Sequence, residues 1–194
     1  MSTAATMTVD DARRSILAAA DDLFYGRGIA GVAMSDVRDL SGTSMRRLYS
    51  LYPSKSDLVA GWLNDRHRSW MDWFAASVEK HTSDSTEALL ATFDALGEWI
   101  SSPGYRGCAF INSIAETSQI DATHRSIIAG HKRDLIDHLA AMAIRDHPNA
   151  PDWLPAAVGV ILDGAIVQCA IFGNALPLAA ARLATNQLLE TIPT

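Results

Sequence analysis

The sequence predicts an all-α protein, with a small N-terminal three-helix module followed by a larger helical module. Three observations carry that expectation. Apolar residues recur at helical spacing, as at Ile16, Leu17, Ala20, Leu23 and Phe24, the i, i+1, i+4, i+7, i+8 pattern of one helix face. The interruptions are short clusters of Gly, Pro, Ser and Asn, which punctuate helices. No run alternates with period two between turn signals long enough to make a sheet.

The elements follow in order. The first helix carries the Ile16–Phe24 stripe, and Gly26 and Gly28 end it. A short helix runs from Met34 to about Leu40, with Val37 and Leu40 on one face. Ser41-Gly42-Thr43 makes a tight turn. Ser44 is a good N-cap for a third short helix to about Leu51. Pro53 stops it. Ser54 and Asp57 form a capping box that opens a long helix to about Lys80. Further helices are expected near 84–100, 107–118, 121–146, 154–172 and 178–191. The breaks between them are Ser101-Ser102-Pro103-Gly104, His147-Pro148-Asn149-Ala150-Pro151 and Gly173-Asn174.

Composition narrows the function. A length of 194 residues fits one domain, or a small module fused to a larger one. The chain is 48% hydrophobic and 20% charged, which excludes disorder and collagen-like repeats. With 22 acids against 16 bases, the net charge of −6 excludes a globally basic nucleic-acid binder. The charge is uneven, however. Residues 33–55 hold four bases (Arg38, Arg46, Arg47, Lys55) against two acids (Asp36, Asp39). Two cysteines cannot build a disulfide framework. Met1 to Asp10 is polar, unlike a secretory signal, so a cytoplasmic setting is expected. Residues 154–172 approach membrane-span length, but Asp163 in the middle would cost roughly 2.5–3.5 kcal/mol in a bilayer. Aromatic belts and flanking Lys/Arg clusters are missing. A helix buried in protein is expected there, with no membrane partner.

Two short helices joined by a Gly-containing turn form the helix-turn-helix pattern. Here an amphipathic helix precedes it and a capped long helix follows it. With Leu23-Phe24, Gly28, Val37, Gly42, Ser44 and the run Leu48-Tyr49-Ser50-Leu51-Tyr52-Pro53-Ser54-Lys55-Ser56-Asp57-Leu58, the chain resembles the TetR family of transcriptional regulators over about 45 residues. Four positions depart from the family pattern. Ala33 stands where Ser or Thr usually caps the second helix, Arg38 and Leu40 where small residues are usual, and Thr43 where Val is usual.

The second helix of such a motif lies in the major groove with its first residues at base edges. Those residues are Met45, Arg46 and Arg47. Arg pairs bidentately with guanine, and Met suits a thymine methyl. Ser44, Tyr49, Ser50 and Lys55 complete the expected DNA-binding set. The resemblance implies phosphate contacts for Tyr49 and Lys55. Residues 8–53 are expected to form the DNA-binding domain. Residues 54–194 are expected to form an effector-binding and dimerisation domain, with 54–80 as connecting helix. The implied function is a homodimeric regulator, a repressor released from operator DNA by a small molecule.

The C-terminal module offers candidates of its own. Gly107-Cys108-Ala109-Phe110-Ile111-Asn112-Ser113-Ile114-Ala115-Glu116 resembles a signature of one TetR subgroup. Phe93, Trp99 and Phe110 are expected on a pocket wall, with Asn112, Glu116, His131, Asp163 and Gln168 as its polar groups. A structural hydrogen bond or helix cap is the competing use of each polar residue. Trp70, Trp73 and Phe74 are read as packing. Val158, Ile161, Leu162, Ala165, Ile166, Cys169, Leu178, Ala181 and Leu188 are expected at a dimer interface of paired helices. The alternatives are a redox-responsive regulator using Cys108 and Cys169, and a small all-α enzyme using Glu116, His131 and Asp163. No HExxH, CxxC, GxSxG, P-loop or GxGxxG supports an enzyme, and no metal or cofactor is expected.

Overall fold

The computed structural model describes residues 7–82, 87–116 and 118–192. Among them nine helices and no strand are found. They are α1 (Val9–Arg27), α2 (Met34–Ser41), α3 (Met45–Leu51), α4 (Lys55–His81), α5 (Ala88–Ile100), α6 (Ala109–Ala115), α7 (Ala122–Asp146), α8 (Leu154–Phe172) and α9 (Leu176–Glu190). The all-α expectation holds. Residues 84–86 of the fifth expected helix and Thr117 of the sixth lie outside the described residues.

Local chemistry sets most of the helix ends. Thr8 Oγ1 accepts from Asp11 N at 3.1 Å and starts α1. Ser44 Oγ accepts from Arg47 N at 3.2 Å and starts α3. Ser54 and Asp57 form the reciprocal pair that opens α4, with Asp57 N donating to Ser54 Oγ at 3.0 Å and Ser54 Oγ to Asp57 Oδ2 at 2.6 Å. Gly42 takes φ 66° after α2, a left-handed conformation that a side chain would strain. Ala33 has no side-chain acceptor, so α2 keeps only the returning half of a capping box: Ala33 N donates to Asp36 Oδ2 at 2.8 Å.

By packing, the chain divides into two compact units, residues 1–67 with 112–128, and residues 68–111 with 129–194. In the first unit α1 packs on α2 and α3. Ile16, Ala20, Val37, Leu48, Leu58 and Leu63 are fully buried there. Trp62 meets Phe24 edge-on at 5.3 Å and donates its indole N–H to Asp21. Arg66 also bonds Asp21 and lies 4.0 Å over the Tyr25 ring. One expectation fails here. Val37 is buried but Leu40 is 55% exposed, and the last turn of α2 buries Ser41 in its place. Arg38 turns outward and pairs with Asp39.

In the second unit α8 packs along α9, and α5 covers both. This corrects the expected dimer face. Val158, Leu162, Ala165, Ile166, Cys169, Leu178 and Ala181 are buried by their own chain, and Ile161 and Leu188 are half-buried. The uncovered apolar side of the same helices carries Val160, Ile171, Phe172, Leu176 and Leu183, each at least 60% exposed. Helical periodicity finds apolar stripes, but it does not say which stripe the chain's own fold consumes. Among the described residues α8 alone is long and apolar enough to cross a membrane.

Candidate functional site

Two-faced packing of α3 defines the first site. Leu48 is fully buried and holds the helix to the first unit. Ser44, Arg46, Tyr49 and Ser50 are exposed on the other sides, while Met45 and Arg47 are half-buried. Arg46 makes no ion pair among the described residues. Arg47 Nη2 donates to Met7 O at 3.0 Å, which anchors the start of the described chain beside α3. Ser50 Oγ donates to Arg47 O at 2.7 Å, so its proton is already committed to the helix. Tyr52 is 6% exposed and belongs to the core. Its ring lies so close to Gly61 that a Cβ there would stand 2.6 Å from Cε1. Lys55, the first residue of α4, is half-buried and borders a small cleft of about 280 Å³ with Ile29, Val59 and Ile120.

Residues 112–128 add polar ties to this unit that sequence reasoning missed. Glu116, expected in an effector pocket, instead accepts two backbone N–H groups of the α1–α2 turn. Ile29 N donates at 3.0 Å and Ala30 N at 2.8 Å. Asp121 Oδ2 accepts from Ser56 Oγ at 2.6 Å. That bond is the main reason the Asp121 carboxyl is held below the usual range. His124, 1% exposed, bonds Ser56 O through Nε2 at 2.9 Å and accepts from Asp121 N at Nδ1 at 3.1 Å. A carbonyl only accepts, so Nε2 carries the proton. The imidazole therefore has no lone pair left for the Ser56 hydroxyl, whose proton goes to Asp121, and the Ser–Asp–His grouping ties this unit together.

In the second unit the expected effector residues separate. Trp99, Phe110 and His131 join one aromatic cluster. His131 stacks on Phe110 with centroids 3.7 Å apart, and Trp70 meets both His131 (5.3 Å) and Trp99 (5.9 Å) edge-on. Trp73, Phe74 and Tyr105 extend it. Phe93 is buried at 1% exposure. The remaining candidates do not converge. Asn112 is exposed and, like Glu116, belongs to the first unit. Gln168 is exposed on α8. Asp163 is engaged by Lys132 Nζ at 2.5 Å, and the same ammonium stands 3.8 Å from Cys108 Sγ. Lys132 carried no signal in the sequence, since a lone Lys on a helix reads as surface. Both cysteines are buried and free, and burial pushes the Cys169 thiol up.

The sequence model for the family described as bacterial regulatory proteins, tetR family, matches residues 16–61, from α1 into α4. Residues 16–61 therefore carry the helix-turn-helix module described by the TetR-family model. The chain is a transcriptional regulator with a helix-turn-helix. A relative from Lactococcus lactis subsp. lactis, an uncharacterised HTH-type transcriptional regulator in the lacX 3' region, is 22% identical over 139 residues, 67% of this chain and 69% of that one. Among solved structures, a TetR-family transcriptional regulator from Streptomyces coelicolor superposes with a TM-score of 0.81 at 23% identity, covering 95% of this chain and 91% of that one. The reduced form of NemR from E. coli gives 0.82 at 19% identity, covering 91% and 96%. At these identities the likeness establishes the shared TetR-type fold.

Proposed function

We propose that this TetR-family regulator acts as a cytoplasmic homodimeric repressor that leaves operator DNA when a small molecule binds. Residues 8–53 act as the DNA-binding domain. Residues 54–194 bind the effector and dimerise, with 54–80 connecting the two. One observation carries the DNA reading: Arg46 and Tyr49 stand exposed on α3, whose Leu48 is fully buried. Met45, Arg46 and Arg47 read base edges from the major groove. Ser44, Tyr49 and Lys55 hold phosphates, and Ser50 does so through its free lone pairs.

The test is selection of bound duplexes from a random pool, repeated with variants. Arg46→Ala relaxes base preference and costs about 1–3 kcal/mol on the selected site. Lys55→Ala weakens all duplexes and lowers the salt slope by about one unit. A Lys55→Ala variant that alters base choice while Arg46→Ala does not overturns these roles.

Dimerisation uses the uncovered side of α8 and α9, where Val160, Ile171, Leu176 and Leu183 would meet their copies in a four-helix bundle. Such a pair presents two α3 helices to one duplex, about 34–36 Å apart or a multiple of it. A second reading, redox control, is favoured by the contact of Lys132 Nζ with Cys108 Sγ at 3.8 Å. Burial pushes the Cys169 thiol up, which disfavours its thiolate. Cys108→Ser protein that still loses DNA under oxidant dismisses that reading.

A further inference from the structure

The cleft of about 280 Å³ bordered by Lys55 belongs wholly to the first unit, between the start of α4 and the turn that leads into α7. Its floor is apolar: Ile29, Val59 and Ile120 are each 6% exposed or less. Its size falls just below that of drug-sized ligand sites, so it suits a smaller molecule. The lining carries two charges of opposite sign, Lys55 and Asp121. They do not pair with each other. The Lys55 ammonium makes no hydrogen bond or ion pair with any described residue. Glu116 bonds Ile29 N but does not line the cleft.

Asp121 is pinned without being neutralised. Its Oδ2 accepts from Ser56 Oγ at 2.6 Å and its Oδ1 from His124 N at 3.1 Å. Both donors are neutral, and about two of the four lone-pair sites of the carboxylate stay open. The Ser56 bond holds this carboxyl below the usual range, so it is ionised at neutral pH. The two charges decide what the cleft accepts. A simple anion would meet Lys55 but also the charge of Asp121, and a simple cation would meet the reverse. A neutral apolar molecule would desolvate both charges and pair neither. A molecule carrying one charge of each sign satisfies both.

We infer that this cleft binds an aliphatic α-amino acid as its zwitterion, with the carboxylate on Lys55, the ammonium on Asp121 and the side chain over Ile29, Val59 and Ile120. The start of α4 adds to the hold on the carboxylate, since a helix N-terminus favours negative charge. Gln119, half-buried at the edge of the cleft, has a side-chain amide with no bond to any described residue and serves as its polar rim. Binding does not depend on the repressor reading. Its effect on DNA rests on that reading, because a carboxylate on Lys55 takes the charge assigned there to a phosphate.

The experiment is calorimetric titration of the full chain with leucine, isocaproate (leucine without its ammonium) and isoamylamine (leucine without its carboxylate). Leucine binds saturably, one per chain, and each single-charge analogue binds about tenfold more weakly, as expected for loss of a charge-assisted pair. Asp121→Asn keeps acceptors for Ser56 and His124 and removes the charge. It weakens leucine to the level of isocaproate and leaves isocaproate no weaker, whereas a purely structural role would weaken both alike. Gln119→Trp fills the cleft from its rim, blocks leucine, and keeps the test alive if Asp121→Asn fails to fold. Equal binding of the three probes, no leucine binding to the parent protein, or leucine affinity unchanged in both Asp121→Asn and Gln119→Trp overturns the proposal. Added leucine also loosens a selected duplex. Leucine that binds through Asp121 yet leaves the duplex bound supports the site and refutes its link to the phosphate role of Lys55.

Discussion

Gly61 and Tyr52 show how a single atom constrains the first unit. A Cβ at Gly61 meets the Tyr52 ring at 2.6 Å, where the first turns of α4 pack in the first unit. Gly61→Ala is expected to lose about 1–3 kcal/mol by overpacking, visible as a lower midpoint in urea. Glu116→Ala strips two N–H groups of their acceptor. It should cost about 1–3 kcal/mol and speed hydrogen exchange at Ile29 and Ala30. His138 gives a pH test. Burial holds its imidazole below the ordinary value, and its Nε2 has no partner among the described residues. A base depressed in the fold is protonated first in the unfolded chain. Its contribution is therefore present above the unfolded value near 6.5 and is lost as pH falls through and below it. His138→Phe should flatten the thermal midpoint between pH 7 and 5.5; an unchanged slope refutes the assignment.

At the scale of elements, most of the helix plan was legible because its signals are local. Ser44, Ser54 with Asp57, Gly42 and Pro53 act within four residues of themselves, and each stands where the sequence implies. Ser44→Ala should cost α3 about 0.5–2 kcal/mol, measured by thermal melting, and should lower DNA affinity with it. What sequence could not supply is which side of a helix the fold uses. Leu40 and Val37 share a stripe, yet one is exposed and the other buried. Val158 and Val160 are two residues apart on α8, and only Val158 is consumed internally. Glu116 reads equally well as a pocket acid or a tie. Its assignment depends on the backbone of Ile29 and Ala30, 87 and 86 residues away.

At the scale of the molecule, the exposed side of α8 and α9 is the prediction with the most at stake. Val160 is 74% exposed and Leu176 is 76% exposed, and an apolar patch of this kind marks a contact surface. Val160→Asp or Leu176→Asp should move the protein toward monomer in sedimentation and weaken duplex binding, while helix content stays the same. A dimer unaffected by both would place the interface elsewhere. The alternation of exposed and buried positions on these helices is a tertiary property, so the dimer residues named from periodicity fell on the inward side.

The grouping of residues 112–128 with 1–67 bears on how the protein is made. A nascent chain emerges from the ribosome N-terminus first. The first 67 residues therefore wait, with Ile29 N, Ala30 N and the Ser56 hydroxyl without these acceptors, until Glu116 and Asp121 have been translated. Closing so long a loop is slow relative to forming α1–α3. A fragment cut at residue 67 should be a poor stand-in for the intact first unit, and a transcript truncated before residue 116 should yield protein that proteases clear.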